Sequence, residues 1–115
     1  MNKSKKFRQI ETYENYFESF FLKQNQKIRD KILWTFELIE DIEHVPKTYL
    51  DHIEGKLYEI RVKHVSNIFR IFCFFDDVKL VVVINSFQKK SQKTPINEIK
   101  KAKAIMDKYF KNKSA

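Results

Sequence analysis

Two arginines, Arg61 and Arg70, stand in neighbouring runs of apolar residues, where their spacing can bring them together. If residues 64–67 form a tight loop between two antiparallel strands, the two side chains lie opposite each other on one face. Facing like charges destabilise a sheet, so the pair favours an anion between them. Guanidinium groups stay charged and match phosphate geometry, which makes a phosphate clamp the first hypothesis. The alternative is that each arginine pairs with a carboxylate, either Glu59 or an acidic loop residue.

Strand register and chain order also place further polar residues near the two arginines. If residues 76–79 form a second loop, Asn85 lies opposite Arg70. Three lysines follow the last apolar run and add positive charge there: Lys89, Lys90 and Lys93. Taken alone, they would be interpreted as a solubilising linker. His64 and His52 are predicted in flanking loops, where a lone histidine is more often a bystander than a catalyst. Together these residues predict an anion-binding site on one face of a sheet.

Three runs dense in β-branched and aromatic residues must position these side chains: Leu57–Lys63, Ile68–Phe75 and Leu80–Phe87. Short polar breaks separate them, so we predict an antiparallel meander of three strands. Alternation predicts one apolar face, made of Tyr58, Ile60, Val62, Phe69, Ile71, Cys73, Phe75, Leu80, Val82 and Ile84. The other face carries Lys63 and the arginines and is only partly apolar. We expect helices to cover the first face and a ligand to lie on the second.

Helical periodicity flanks the meander. Apolar residues recur at three- and four-residue steps over residues 13–21 and 28–43, which predicts two helices packed as an antiparallel hairpin, with Asn25 as a cap. Thr94 and Pro95 are typical of a helix start, so a C-terminal helix follows. The helix hairpin should pack on the apolar face of the meander.

The remaining segments complete the predicted architecture. Residues 1–6 are predicted to be a flexible tail, and weak alternation over Phe7–Thr12 predicts a short edge strand. Residues 45–56 are predicted to be a loop, which contains His52. The element order predicts one α+β domain spanning residues 1–115, with an N-terminal helix hairpin on an antiparallel meander and a C-terminal helix.

Composition narrows the function classes. The hydrophobic fraction of 43% is that of a globular protein, and the net charge of +8 suggests a polyanionic partner, either nucleic acid or an acidic protein. One cysteine, Cys73, excludes an internal disulfide, and three scattered histidines give no metal site. Neither a signal peptide nor a transmembrane run is visible, so we expect a cytoplasmic protein with no membrane contact.

Several segments together resemble a known family. The string LYEIRVKHVSNIFRIFCFF, followed by KLVVVINSFQKKSQKTP and INEIKKA, resembles the phage-derived, HigB-like branch of the RelE superfamily, the toxins of type II toxin–antitoxin modules. The resemblance covers about residues 10–110. It implies a compact RelE-type fold and ribosome-dependent cleavage of messenger RNA, without metal or cofactor. ParE toxins share the fold and inhibit DNA gyrase, so a non-enzymatic, protein-binding poison is the alternative.

The resemblance also implies partners. A cognate antitoxin is expected, of the HigA-like type with a helix-turn-helix domain that represses the shared operon. Operator DNA would then be contacted only through the antitoxin, whereas the toxin itself would meet the ribosome and messenger RNA.

Site residues carry over onto matching positions. Arg61 and Arg70 match the arginines of the family's sheet and would hold the phosphate, while the basic segment with Lys89, Lys90 and Lys93 forms one wall of the site. His52 and Lys56 match a loop where some members place basic catalytic residues. A tyrosine common after the last strand is replaced by Phe87, which can stack on a base but cannot transfer a proton. The other predicted substrate contacts are Lys63, His64 and Asn85.

Proton transfer is assigned to a lysine or to His52. The pKa of a free lysine is too high for a base at neutral pH, and crowding by the arginines is a physical means of lowering it. If the arginines face each other unpaired, removing either one should leave stability level or raise it slightly.

Overall fold

The computed structural model of the chain describes residues 6–89 and 94–114, which form three helices and five strands. In chain order these elements are β1 (Gln9–Thr12), α1 (Tyr16–Leu22), α2 (Gln26–Asp41), β2 (Leu50–Glu54), β3 (Leu57–His64), β4 (Asn67–Asp77), β5 (Leu80–Lys89) and α3 (Ile96–Ser114). The predicted α+β class is confirmed. Of the predicted tail, residues 1–5 lie outside the described residues, whereas the Lys6 Nζ contacts Glu40 Oε1 at 2.7 Å.

The strands form one mixed sheet in the order β1-β5-β4-β3-β2. The predicted meander is β3, β4 and β5, and it is antiparallel, but β1 joins β5 in parallel. The weak strand prediction near the N-terminus is therefore confirmed. The prediction of a loop over residues 45–56 is wrong in its second half, because β2 pairs with β3 through a hairpin at Gly55. Gly55 has φ of 54°, a left-handed conformation that glycine adopts without steric cost.

The register between β3 and β4 is as predicted, with Arg61 opposite Arg70. The register between β4 and β5 was predicted wrongly, because Arg70 lies opposite Phe87 rather than Asn85. The β4–β5 turn is tighter than the predicted loop over residues 76–79, because Asp77 already pairs with Leu80, and this moves the partner of Arg70 by two residues along β5. Two register shifts, between Ile71 and Cys73 and between Phe75 and Asp77, change the pairing only in the segment between them, because the second cancels the first.

These shifts also exchange the faces of β5. Val81 and Val83 pack in the core with α1 and α2, whereas Val82 and Ile84 pack with α3. The predicted apolar face assigned Leu80, Val82 and Ile84 to the helix hairpin, and that assignment is wrong. A single inserted residue reverses the alternation of every residue up to the next shift, which is why the three positions turned over.

Helices cover both faces of the sheet. The first core lies under α1 and α2 and contains Phe17, Ile28, Ile32, Ile39, Ile60, Val62, Phe69, Ile71 and Cys73. The second lies under α3, where Ala102 and Ile105 meet Leu57, Phe72 and Phe74. The face expected to stay half-open for a ligand is therefore closed at the end near the β4–β5 turn. Its other end, which carries the arginines, is where a site can form.

The N-terminal helices match the predicted hairpin only in part. The first, α1, begins at Tyr16 because β1 and a turn occupy the preceding residues, and it packs mainly on β5, whereas α2 packs on β3. A ring contact at 5.3 Å between Phe17 and Phe36 links them. Asn25 caps α2 as predicted, since its side chain accepts a hydrogen bond of 2.9 Å from the Ile28 amide.

A carboxylate on β4 holds the end of α3. Asp76 accepts a hydrogen bond of 2.7 Å from the Tyr109 hydroxyl and contacts the Lys113 ammonium at 2.6 Å. These bonds hold the pKa of Asp76 below its ordinary value of 3.8, the contribution of Lys113 being the larger. Burial and the same carboxylate raise the pKa of Tyr109 to about 12. None of the described helices is both long and apolar enough to cross a membrane.

The anchored aspartate predicts a pH-dependent stability. A carboxylate with a lowered pKa in the folded state stabilises the fold above its unfolded pKa, and this contribution is lost as the pH falls through the folded pKa. We expect Asp76→Asn to lower the melting temperature at neutral pH and to flatten the fall of stability towards acid. Thermal melts over an acid-to-neutral series measure both. Asp107→Asn, on the exposed side of α3, is the matched control, and an equal acid sensitivity in the wild type and Asp76→Asn would contradict the assignment.

Candidate functional site

The two facing arginines share a carboxylate from the chain itself. Glu59 lies two residues before Arg61 on β3 and therefore projects from the same face. Its Oε2 accepts hydrogen bonds from Arg61 Nε at 3.1 Å and from Arg70 Nη1 at 2.5 Å. The Glu59 carboxylate is thus the anion between the two facing arginines. Of the two hypotheses, a phosphate clamp and pairing with a carboxylate, the structure shows the pairing. Glu59, Arg61 and Arg70 are called the arginine–glutamate cluster below.

The two arginines differ in exposure. The side chain of Arg70 is 7% exposed and that of Glu59 is 2% exposed, so these two form a buried ion pair. Burial lowers the pKa of Arg70 and the charge of Glu59 opposes this, and a guanidinium group stays charged under such opposing influences. Arg61 is 36% exposed, and its Nη2 also lies 3.4 Å from Asp51 Oδ2. Within the cluster Arg61 is therefore the arginine that can reach a ligand.

Lys89 lies one row further along the same face, opposite Ile68. Its pKa is lowered from 10.5, first by burial and then by the nearby charge of Arg70, with a smaller contribution from Arg61, while Glu59 opposes the shift. A lower pKa increases the neutral fraction of a lysine near neutral pH, and only the neutral amine accepts a proton. The pKa of Lys89 is therefore lowered by neighbouring arginines, as predicted, but burial contributes more to the shift.

Phe87 and Asn85 approach the cluster from β5. Phe87 lies opposite Arg70, and its ring stacks on Phe72 with centroids 5.7 Å apart. Asn85 is buried at the register shift, and neither its Oδ1 nor its Nδ2 has a hydrogen-bond partner among the described residues. Glu59 Oε1 and Arg70 Nε are likewise buried and unpaired there. Buried polar groups are usually hydrogen-bonded, so several unpaired polar atoms close together are unusual. Their position in and beside the cluster favours a functional role for it.

Two predicted site residues lie elsewhere. His52 is opposite Tyr58 and so shares that residue's face, which is the reverse of the face of Glu59 and Arg61. Its Nε2 lies 2.8 Å from the Gly55 carbonyl oxygen. Lys56 lies in the same hairpin turn, with its Nζ 4.7 Å from the ring centre of Phe110 on α3. The structure brings neither of them to the arginines.

Of the remaining predicted residues that the structure describes, one lies on the face of the cluster and one on the reverse face. Lys63 is exposed in the row of Ile68 and Lys89, on the face of the cluster. His64 follows it at the end of β3 and alternates to the reverse face. Lys90 and Lys93 lie outside the described residues. The site therefore consists of the cluster together with Lys63, Lys89, Phe87 and Asn85.

Sequence reasoning underrated one residue. Glu59 was considered only as an alternative partner for the arginines, although its place two residues before Arg61 puts both side chains on one face of any strand. Asp51 could not be found in this way, because its contact with Arg61 depends on the pairing of β2 with β3.

Comparison with known proteins gives one family. The family model described as phage-derived protein Gp49-like matches residues 19–107. The matched segment includes the whole cluster, Lys89 and most of α3. No curated protein shows significant similarity to the chain.

Proposed function

Because the chain belongs to the Gp49-like family of phage-derived proteins, a family of RelE-like, toxin-related proteins, we propose that it is the toxin of a type II toxin–antitoxin module, of the HigB-like branch. It acts as a metal-independent endoribonuclease that cleaves messenger RNA on the ribosome. The observation that carries this proposal is the half-exposed Arg61 beside Lys89, a lysine with a lowered pKa, on one uncovered end of the sheet.

The reaction is attack of a ribose 2′-oxygen on the adjacent phosphorus. The bond from the 2′-oxygen to phosphorus forms, the bond from phosphorus to the 5′-oxygen breaks, and the products are a 2′,3′-cyclic phosphate and a 5′-hydroxyl. A base must take the 2′-hydroxyl proton, an acid must protonate the leaving oxygen, and donors must stabilise charge on the phosphate.

The difference in burial supports separate roles for the two arginines. Arg61 contacts the phosphate, because its guanidinium group is half-exposed and stays charged. Arg70 is buried against Glu59 and acts as a positioning residue, since the carboxylate it holds is the one that orients Arg61 through Nε. Both arginines are needed, but only Arg61 touches the substrate.

Lys89 and Phe87 supply two further functions, a base and a stacking surface. Lys89 in its neutral form accepts the 2′-hydroxyl proton, and its lowered pKa supports this role. Phe87 offers a ring beside Arg70 on which a base can stack. Lys63, in the same row as Lys89, adds charge for the RNA backbone.

The partners follow from the same proposal. A HigA-like antitoxin with a helix-turn-helix domain binds the toxin and contacts operator DNA, and the toxin meets DNA only through it. The net charge of +8 supports association with RNA and the ribosome. The ribosome holds the messenger in the geometry for attack, so the purified protein should cleave naked RNA slowly.

The test is induced expression followed by mapping of new 5′ ends in cellular RNA. We expect cleavage inside translated messages and growth arrest that the antitoxin gene relieves. Arg61→Ala should lower cleavage about 100-fold, the order of effect of losing one charge-stabilising donor. It should fold normally, because Glu59 keeps its bond to Arg70.

Lys100→Ala, on an exposed position of α3, is the charge-matched control and should remain toxic. Growth arrest with intact messages and relaxed DNA supercoiling would contradict the ribonuclease and favour the alternative, an inhibitor of DNA gyrase or another protein target. Full toxicity of Arg61→Ala would remove this arginine from the mechanism.

A further inference from the structure

A hollow of about 530 Å³ opens beside the arginine–glutamate cluster, between α2 and the free end of β3. This volume lies in the range of small-ligand pockets. The described residues that line it come from α2, the segment before β2, and the β3–β4 hairpin: Lys31, Thr35, Thr48, Tyr49, Arg61, Val62, Lys63, Val65, Ile68 and Arg70. Arg61, Lys63 and Arg70, which belong to the proposed site, therefore also line this hollow.

The charge of the lining distinguishes this hollow from others on the described surface. Its described lining includes two lysines and two arginines and not one carboxylate. Three other hollows are each lined by carboxylates, among them Glu40, Asp76 and Asp77. A concave surface lined by one sign of charge concentrates ligands of the other sign. The lining therefore favours an anionic ligand, mainly through Lys31 and Lys63, because Arg61 and Arg70 already pair with Glu59.

An aromatic ring in the hollow is held rigidly next to Arg61. The Tyr49 carbonyl accepts a hydrogen bond of 2.9 Å from the Arg61 amide, and the Tyr49 amide donates one of 2.9 Å to the Pro46 carbonyl. The Tyr49 ring meets Trp34 edge to face at 5.9 Å, and the Lys31 ammonium lies 4.3 Å from the centre of the Trp34 ring. The Tyr49 ring and the Lys31 ammonium are thus both positioned by contact with Trp34.

We propose that this hollow binds a nucleotide of single-stranded RNA next to the cleaved phosphate, with its base against Tyr49 and its backbone phosphate between Lys31 and Lys63. The inference rests on the proposed function and extends it, since it adds a substrate subsite from α2 and the segment before β2. Aromatic stacking together with flanking cations is the usual means of binding a single strand. Val65 and Ile68 supply the apolar surface that a base covers.

The experiment measures binding of a short 2′-O-methyl oligoribonucleotide, which cannot be cleaved, by fluorescence anisotropy over a salt series. Tyr49→Ala should weaken binding about tenfold or more and leave the salt dependence unchanged, because it removes stacking alone. Lys31→Ala should reduce the slope of log K against log salt by about 0.7, the value for one lost phosphate contact on a single strand. An oligonucleotide backbone without bases should bind the wild type and Tyr49→Ala equally.

Matched variants keep these results interpretable. Lys27→Ala lies one turn before Lys31 on α2, outside the described lining, and should bind like the wild type. Tyr49→Leu preserves apolar contact with Trp34 but offers no aromatic face, so it replaces Tyr49→Ala if that variant melts early. Each variant is checked by its melting temperature.

The possible outcomes test the RNA subsite and the proposed ribonuclease function separately. Unchanged binding by the Tyr49 and Lys31 variants, with messenger cleavage intact, overturns the subsite and leaves the ribonuclease standing. A wild type that binds no oligonucleotide and cleaves no messenger overturns both. If a polyglutamate peptide binds as tightly and loses affinity in the same variants, the hollow is a site for an acidic peptide and the proposal is wrong.

Discussion

Replacing Arg70 by alanine is expected to lower the free energy of unfolding by about 3–5 kcal/mol, the usual cost of removing one partner of a buried ion pair. Glu59 would remain in the sheet interior with Arg61 as its one remaining hydrogen-bond donor, at 3.1 Å, and Oε1 of Glu59 has no partner among the described residues. Urea or thermal unfolding of the purified variant measures the loss. Toxicity should disappear with the fold.

A paired substitution distinguishes this role from direct contact with the substrate. Arg70→Met combined with Glu59→Leu removes both buried charges and keeps similar volumes, so most of the lost stability should return while activity does not. Arg61→Ala is the internal comparison and should cost far less stability, because Arg61 is half-exposed. Normal stability of Arg70→Ala with complete loss of cleavage would make Arg70 a phosphate ligand instead.

This expectation reverses one drawn from the sequence. If the two facing arginines had no partner, removing either would raise the stability of the protein slightly. Because Glu59 pairs with both, removing Arg70 is expected to lower the stability instead. The carboxylate was within reach of sequence reasoning, because alternation places Glu59 and Arg61 on one face whatever the neighbouring strands do. What the pattern does not show is how deeply each side chain is buried, since burial depends on the packing of α3 and of β5.

The fold was predictable where local patterns are strong. The short polar breaks determine the β3–β4 register, and the cap at Asn25 determines the start of α2. The faces of β5 were not predictable, because residues 81–84 are apolar at every position and fit either face equally well. The strand β2 was missed since its polar residues suit a loop, and its pairing with β3 is what makes it a strand.

The tight turn between β4 and β5 decides the composition of the site. In the register expected from the sequence, Asn85 stands beside Arg70, Phe87 stands beside Ile68, and Lys89 falls past the strand end. The observed pairing moves Phe87 opposite Arg70 and Lys89 opposite Ile68. The turn of two residues rather than four therefore makes Lys89, predicted to be a linker residue, a neighbour of the arginines.

Lys89→Ala is therefore expected to lower messenger cleavage by about 10²- to 10⁴-fold, the range for losing a general base. Stability should not fall, because the substitution removes a cation beside Arg70 and Arg61. In the wild type, cleavage should increase with pH as Lys89 loses its proton, and the increase should lie below the ordinary lysine value of 10.5. Single-turnover cleavage on isolated ribosomes over a pH series measures this profile.

Two further variants decide what Lys89 does. Lys89→Arg keeps the positive charge but cannot give up its proton near neutral pH, so it should be as inactive as alanine if Lys89 is the base. Arg61→Gln removes one of the charges that lower the pKa of Lys89, so its residual activity should rise at a higher pH than in the wild type. Lys79→Ala, in the turn that precedes β5, is the control and should cleave normally. If Lys89→Arg retains wild-type cleavage, Lys89 stabilises charge on the phosphate, and the proton must be taken by another group.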